Sequence, residues 1–443
     1  MLANLPASVC CVLLMVVGAA VSALINWAIY SWSIFSRRPV SPWMRLLEEE
    51  QDLLADRTWL DRIPVYGWIR LRRHHDKAWT WIRPMLIDVV WIIGLPWFWH
   101  WQLGGGLLGF HSGNLPVMPQ WNSYAEIWFW SHTLLIALLF IATFIDFDER
   151  LIPDQITVPG TIAGLCIAAA LPSSRLPQIA AGAGGAMVEW INFRSPHPFD
   201  PPPAVHWCFS WIGLALALGV FTIWILSLFP RISPFHLGFG KGIKFTLASV
   251  LRPQRKTECA LRTVKRGPFG LTKILLAILL AGLPLLTAAW MMLPKENWIS
   301  LMGAVIGMAV AGGLIWGIRL VGGAVLGMQA MGFGDVTLMA MIGTFIGWQA
   351  SISGFIYGII AAMVFAMVLF VVLRDSYLAF GPYLAFGAVF AILRWEPIWT
   401  SGRHSFFAFG AWLLVVLLVS LVLMAVLLPM VRWLKLKTLG PDT

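Results

Sequence analysis

Two aspartates at the ends of apolar segments are the residues of this chain best placed to do chemistry. Asp146 follows the apolar run Leu134–Ile145, and Asp335 ends the tetrapeptide Gly332–Asp335, which reads GFGD. A carboxylate at the edge of a membrane span is expensive to desolvate, so its presence there indicates a function. Two such acids predict an aspartyl protease that works at the membrane.

The chemistry of an aspartyl protease requires that the two carboxyl groups differ in protonation. The ionised carboxylate takes a proton from water, and the protonated carboxyl donates one to the scissile carbonyl. Two like charges a few ångströms apart resist joint ionisation, so closeness produces this difference, and the pair titrates jointly. Asp146 and Asp335 are therefore the predicted catalytic pair.

The glycines before Asp335 favour a close approach of another backbone. Gly332 and Gly334 lack a Cβ atom, so an extended peptide substrate can lie against this segment. A competing interpretation is that the glycines only separate two helices. The tetrapeptide by itself favours this second interpretation.

The segment after Asp146 has its own turn chemistry. Arg150 lies four residues later, on the same helical face if the helix continues that far. Pro153 disfavours a helical residue before it and ends the helix, and Asp154 follows. Arg150, Pro153 and Asp154 are thus predicted to support the site.

Three other acids compete with Asp146 for the catalytic role: Asp148, Glu149 and Asp154. A charge cluster in a short loop is usually a solvated surface, and we interpret these three in that way. Asp146 lies nearest the apolar run, so burial should affect it most.

The composition indicates that the solvent of this chain is lipid. Of 443 residues, 59% are hydrophobic and only 12% charged, against about 25% charged in soluble proteins. We therefore predict an all-α polytopic membrane protein with about eleven transmembrane helices. The apolar runs lie near 8–32, 83–103, 124–145, 156–171, 205–229, 270–294, 299–327, 336–348, 352–373, 378–394 and 405–431.

Charge in the loops predicts the orientation. Residues 37–83 carry ten Lys or Arg, and residues 231–266 carry nine against one acid. The positive-inside rule places these loops in the cytoplasm and the N-terminus outside. The span count then puts loops 146–155 and 328–335 on the cytoplasmic side together. The net charge of +10 is explained by this asymmetry, so nucleic acid is not an expected partner.

Metal binding is not expected. The five cysteines form no CxxC pair, and His74, His75 and Asp76 are interpreted as a solvated polar cluster. The first apolar run is predicted to be retained as a span rather than cleaved as a signal peptide. The proline-rich stretch 172–204 predicts an extracytoplasmic loop with little regular structure.

Two segments resemble the signature regions of type IV prepilin peptidases, the GxGD-type aspartyl peptidases of the bacterial inner membrane. Residues 137–160 match the first region through Asp146, Ile152, Pro153 and Asp154, and residues 323–348 match the second through Asp335. A later segment, 380–387, reads FGPYLAFG and is similar to a Phe-Gly-Pro segment of the family.

This resemblance implies a GxGD-type aspartyl protease fold and removal of the leader peptide from prepilins or pseudopilins on the cytoplasmic side. The substrate's apolar helix would dock among the spans within the lipid bilayer. The peptidase reaction needs no cofactor. Many members also N-methylate the new N-terminus with S-adenosylmethionine.

The chain departs from the family pattern in three places. Residues 36–83 lack the two CxxC pairs of bifunctional members, which leaves methyltransferase activity open. Thr337 stands where a Lys often follows the second aspartate. The third departure is the long insert 172–298, which holds two extra spans and the basic loop. The predicted organisation is therefore 1–123, a degenerate N-terminal domain; 124–171, the first catalytic-aspartate helices; 172–298, the insert; and 299–443, the GxGD core with the C-terminal spans.

Other functions remain open at the level of sequence. Another GxGD intramembrane protease would keep the chemistry and change the substrate. A proton-coupled transporter could use two intramembrane acids, but the chain shows no convincing similarity between its halves. A catalytically inactive membrane scaffold would have no need of both aspartates and their glycines.

Overall fold

A computed structural model describes most of the chain. The described residues are 2–33, 59–72, 78–108, 121–182, 185–191, 193, 205–229, 268–326, 331–373, 379–403, 406–409, 412, 415–416, 419–420 and 422–423. The basic loop 231–266, the cluster His74, His75 and Asp76, and most of the apolar run 405–431 lie outside them.

Helices dominate the described part of the chain. They are α1 (Ala7–Trp32), α2 (Tyr66–Leu71), α3 (Ala78–Leu103), α4 (Trp121–Glu149), α5 (Asp154–Ala170), α6 (Trp211–Leu228), α7 (Pro268–Met292), α8 (Lys295–Leu326), α9 (Phe333–Leu373), α10 (Gly381–Leu393) and α11 (Trp395–Arg403). Strands β1 (Pro177–Gly182) and β2 (Gly185–Trp190) form a hairpin. Short 3₁₀ helices lie at Leu2–Asn4, Trp59–Arg62, Gly106–Leu108, Pro172–Ser174, Val205–Phe209 and Phe407–Phe409.

Seven helices in the described residues are long and apolar enough to cross a membrane: α1, α3, α4, α6, α7, α8 and α9. Helices α5 and α10 are apolar but shorter. The prediction of an all-α polytopic membrane protein is confirmed. The count is seven instead of eleven for three reasons: α5 and α10 are too short, runs 336–348 and 352–373 lie in one element, α9, and the last run falls mostly outside the described residues.

Helix α9 contains a break where the sequence suggested two runs. Gly347 has φ 77° and ψ 173°, a conformation that only glycine adopts without strain. The buried Arg175 side chain lies next to this break and donates to the carbonyl oxygens of Thr344 (3.2 Å) and Ser300 (2.7 Å). Arg175 thus supplies a donor to the Thr344 carbonyl near the end of the first α9 segment, where the helix leaves carbonyls without intrahelical partners, and it ties this point to Ser300 of α8.

Small residues let the helices around the break approach closely. Gly307 of α8 lies against the backbone of Gly343 in α9, and Gly354 of α9 against Gly387 in α10. Side chains larger than hydrogen at these positions would collide with backbone atoms. This packing, typical of membrane helices, fixes α9 between α8 and α10.

The hairpin corrects the expectation of little regular structure in 172–204. The strands pair antiparallel from Pro177–Trp190 to Gly182–Gly185. Packing explains the difference, because the Trp190 ring contacts Tyr124 at 4.8 Å and Trp128 at 5.7 Å between centroids. These contacts to α4 are distant in sequence and are not visible in local composition.

The chain divides into two compact units, Met1–Pro202 with Ile299–Thr443, and Pro203–Trp298. The second unit contains α6 and α7, where the Phe221 ring packs against Gly282. Two of its tryptophans donate to backbone carbonyls, Trp298 to Cys208 at 2.8 Å and Trp290 to Phe209 at 3.2 Å. The first unit contains both aspartates of the predicted site.

Candidate active site

Asp146 lies in the last turn of α4 with only 5% of its surface exposed. Its Oδ2 atom accepts a hydrogen bond from the backbone N–H of Gly381 at 3.0 Å. Gly381 is the first residue of α10, so the carboxylate faces a helix N-terminus. Free N–H groups and the helix dipole favour a negative charge at that position.

Asp335 lies in the first turn of α9 and is 7% exposed. Its carboxylate accepts a hydrogen bond from the backbone N–H of Gly332 and interacts electrostatically with Asp146 and Arg319. The Arg319 guanidinium lies 5.3 Å from the centre of the Phe333 ring. The structure therefore brings the two predicted aspartates, which are far apart in sequence, into one buried site.

Ile152 packs against two glycines of the site, Gly334 and Gly381. A Cβ atom built at Gly334 would lie 2.8 Å from Ile152 Cβ, and one at Gly381 would lie 3.0 Å from Ile152 Cδ1. The side chain of Ile152 is buried. The segments before α5, α9 and α10 thus converge on one isoleucine, with both aspartates beside it.

We expect Gly334→Val to impair proteolytic activity severely. The added side chain would collide with the backbone and Cβ of Ile152 and displace the segment next to Asp335. A displacement of about 1 Å in an active site can lower the rate by about 10²-fold. The measurement is kcat for cleavage of a leader peptide by the purified full chain in detergent.

Gly313→Val is the control for that variant. Gly313 is an exposed residue of α8, and nothing lies within 4 Å of a Cβ atom built there. This variant should retain most of its activity. Equal rates for the two variants would contradict the close approach at Gly334.

Arg150 does not lie in the helix that carries Asp146. Helix α4 ends at Glu149, and Arg150 adopts a left-handed φ of 55° with an exposed side chain. Its backbone N–H donates to the Asp146 carbonyl at 2.8 Å. Arg150 therefore ends the helix through its backbone, which costs about 1–2 kcal/mol in this conformation.

Asp148, the nearest rival of Asp146, is held in an ion pair instead of a freely solvated position. The Arg83 guanidinium contacts both carboxylate oxygens of Asp148 at 2.8 and 2.7 Å. The same group donates to the Phe144 carbonyl at 3.3 Å and lies 4.6 Å from the Phe144 ring centre. Helix α3 is thereby tied to the end of α4, two residues from Asp146.

The remaining motif residues lie around the start of α5. Pro153 is the N-cap residue and is buried, and Asp154 is the first helical residue and is partly buried. A carboxylate in the first turn favourably meets the helix dipole. Asp154 is thus placed to stabilise α5.

We expect Arg83→Leu to lower the free energy of unfolding by about 1.5–3 kcal/mol, the range for hydrogen bonds to charged groups. Asp148 would lose its ion-pair partner, and the end of α4 would no longer be linked to α3 through this pair. The measurement is chemical or thermal unfolding of the full chain in detergent. Arg72→Leu, which changes an exposed arginine, is the control, and equal stability of both variants would show that the ion pair contributes nothing.

Sequence reasoning assigned no role to several residues of the site. Gly381 and Ile152 were quoted only as matches to a motif, and Arg319 and Arg83 were not singled out. Thr337, noted as a departure, is buried and donates to the Gly334 carbonyl at 3.0 Å. The Gly381-Pro382 pair was the available signal, because proline often begins a helix and a glycine beside it allows another group to approach the backbone closely.

Comparison with known proteins agrees with this geometry. The model of the type IV leader peptidase family matches residues 133–194 and 271–367. Asp146 and its following loop lie in the first matched segment, and the GFGD tetrapeptide lies in the second. The two halves of the site are therefore the parts of the chain that match.

Curated relatives are similar over a limited region, and each is named prepilin leader peptidase/N-methyltransferase. The Pectobacterium carotovorum subsp. carotovorum protein is 32% identical over 22% of this chain and 36% of the relative. The Pseudomonas putida protein is 31% identical over 24% of this chain and 38% of the relative. The Aeromonas salmonicida strain A449 protein is 34% identical over 26% of this chain and 41% of the relative.

The chain spans about two fifths of the length of these relatives. No solved structure matches it. The two aspartate-bearing segments of this membrane protein match the type IV leader peptidase family, which confirms the resemblance drawn from its sequence.

Proposed function

We propose that this chain is a membrane aspartyl endopeptidase that removes the leader peptide from type IV prepilins or pseudopilins. The observation that carries the proposal is the buried pair of Asp146 and Asp335. The two carboxyls interact electrostatically, and each accepts a backbone N–H. The match of the two segments to the leader peptidase family supports the choice of substrate.

The proposed reaction needs a water molecule and the two carboxyl groups. The ionised carboxylate accepts a proton from the water molecule while the water oxygen attacks the scissile carbonyl carbon. The protonated carboxyl donates a proton to the carbonyl oxygen. The tetrahedral intermediate then collapses and its C–N bond breaks. The carboxyl that took the proton from water passes it to the leaving nitrogen, and the other carboxylate takes a proton back from a hydroxyl group of the intermediate. Burial of both groups keeps bulk water away and strengthens their interaction.

The proposed setting is the bacterial inner membrane, with the N-terminus outside and the catalytic loops in the cytoplasm. The basic loops 37–83 and 231–266 support this orientation. The substrate's apolar helix would lie in the bilayer beside the enzyme's spans. That position would bring the junction between leader and helix to the membrane edge. Asp146, in the last turn of α4, and Asp335, in the first turn of α9, would lie at the same edge.

We propose that cleavage uses no cofactor, because water and the two aspartates supply every atom and proton. S-adenosylmethionine would be needed only if the chain also methylates the new N-terminus. The absence of cysteine from residues 36–83 argues against a cysteine-based zinc site, and methylation is a separate question from cleavage.

Mass spectrometry of a co-expressed pilin-like protein tests the proposal. We expect loss of the leader mass, with a further 14 Da only if one methyl group is transferred. A second substrate with a secretory signal peptide separates this activity from other GxGD proteases. Cleavage in detergent without an ion gradient would exclude a transporter, whereas an uncut pilin-like substrate would overturn the proposed function.

A further inference from the structure

A cavity of about 440 Å³ lies away from the aspartate pair. It is formed by α9 beyond the Gly347 break, the C-terminal end of α10, α11 and the segment after it. The residues that line it are Ser353, Ile356, Tyr357, Phe390, Arg394, Pro397, Ile398, Ser401, Gly402, Phe406 and Phe407. Its volume is within the range of small-molecule sites.

The lining has a polar part and an apolar part. Arg394 is the one charged side chain among the described residues that line the cavity, and Ser353 and Tyr357 add hydroxyl groups. Ile356 and Phe406 belong to the apolar part and are 42% and 38% exposed on the outer surface. The cavity therefore combines a cation with exposed apolar side chains.

Arg394 occupies a fixed position at the end of α10. Its backbone N–H donates to Phe390 as the C-cap of the helix, and its side chain is exposed. A cation at a helix C-terminus is favoured by the dipole. The backbone thus holds Arg394 at the edge of α10, and its exposed side chain lines the cavity, where an anionic group can reach it.

Helix α11 closes one side of the cavity and is well anchored. Trp395 and Trp399 are buried and stack at 5.4 Å between centroids, and Trp399 contacts Phe407 at 5.5 Å. Trp395 also donates to the Pro177 carbonyl at 2.9 Å. This short helix is strongly amphipathic, and its two tryptophans lie on the buried face, so the helix forms one wall of the cavity.

We propose that this cavity binds an anionic phospholipid. The phosphate would pair with Arg394 and accept a hydrogen bond from the Tyr357 hydroxyl, since the Ser353 hydroxyl donates to the Gln349 carbonyl, and an acyl chain would lie along Ile356 and Phe390. A guanidinium binds phosphate in a bidentate manner, and the described lining offers no carboxylate to oppose it. A choline headgroup would bring its own cation towards Arg394, so the site should prefer phosphatidylglycerol to phosphatidylcholine.

The test is thermal unfolding of the full chain in an uncharged detergent, titrated with dioleoylphosphatidylglycerol or dioleoylphosphatidylcholine. A ligand that binds the folded state raises the unfolding temperature. We expect phosphatidylglycerol to stabilise the protein at lower concentration than phosphatidylcholine. Arg394→Gln should weaken the apparent affinity for phosphatidylglycerol about tenfold, because it removes a charge-assisted contact.

Arg72→Gln is the matched control, because it removes one charge from an exposed arginine elsewhere in the chain. It should bind phosphatidylglycerol as the unchanged protein does. Equal affinities of the Arg394 and Arg72 variants would overturn the proposal. Equal stabilisation by the two lipids would also overturn it, since the cavity would then bind an apolar chain without regard to charge.

A second pair of variants keeps the test decisive if Arg394→Gln does not fold. Ile356→Trp adds bulk at the lining, whereas Ile360→Trp adds the same bulk one turn later at a position that is 51% exposed and outside the lining. We expect Ile356→Trp alone to weaken binding of phosphatidylglycerol. Unchanged binding in Ile356→Trp would contradict the proposed site.

Discussion

Asp146→Asn and Asp335→Asn are each expected to abolish leader cleavage. An amide can neither accept the proton of the attacking water nor donate one to the scissile carbonyl, so either change removes half of the pair. General acid–base catalysis by one group contributes about 10²–10⁴-fold, and losses of at least this size are expected in kcat. The Asn side chain is nearly isosteric, so the variants should fold.

Asp148→Asn is the control that separates catalysis from the local charge cluster. It removes the partner of Arg83 two residues away from Asp146, yet it leaves both catalytic groups in place. We expect activity within about tenfold of the unchanged enzyme, the scale of one charged hydrogen bond. Asp154→Asn should likewise retain turnover. An inactive Asp148→Asn beside an active Asp146→Asn would reverse the assignment.

The spans were predictable because a lipid solvent imposes a simple pattern. Long apolar runs must form helices that satisfy their own backbone groups, and α1, α4 and α8 lie close to the predicted ranges. The break in α9 at Gly347 could be suspected only because the sequence shows two separate apolar runs there, 336–348 and 352–373. The hairpin Pro177–Trp190 was missed because its stability depends on aromatic contacts to α4, which local composition does not contain.

The site was only partly predictable for a similar reason. Asp146 and Asp335 could be identified because acids next to apolar runs are rare and motifs surround them. The hydrogen bond from Gly381 to Asp146 joins residues 235 positions apart, and no local pattern specifies such a contact. The pairing of Asp148 with Arg83 depends likewise on how α3 packs against α4. Asp148, which the sequence placed on a solvated loop, therefore forms an ion pair at the end of α4.

Gly381→Ala is expected to reduce kcat by about 10²-fold, the cost of misplacing a catalytic group by about 1 Å. The new Cβ atom would lie 2.5 Å from Asp146 Oδ2 and 3.1 Å from Asp146 Cγ. Either the carboxylate must rotate or the start of α10 must move back, and both break the hydrogen bond from the Gly381 N–H. Because the carboxylate itself is retained, loss of activity would show that its position matters.

Two comparisons make this result specific. Gly313→Ala adds the same methyl group to a helix where nothing lies within 4 Å, so it should keep full activity and raise stability by about 0.5–1 kcal/mol. Adding Ile152→Val to Gly381→Ala removes the neighbouring Cδ1 atom but leaves the collision with the carboxylate. Recovery of kcat in that double variant would show that crowding of Ile152, rather than displacement of Asp146, causes the loss, whereas a rate as low as that of Gly381→Ala alone would assign the effect to the hydrogen bond that holds the catalytic acid.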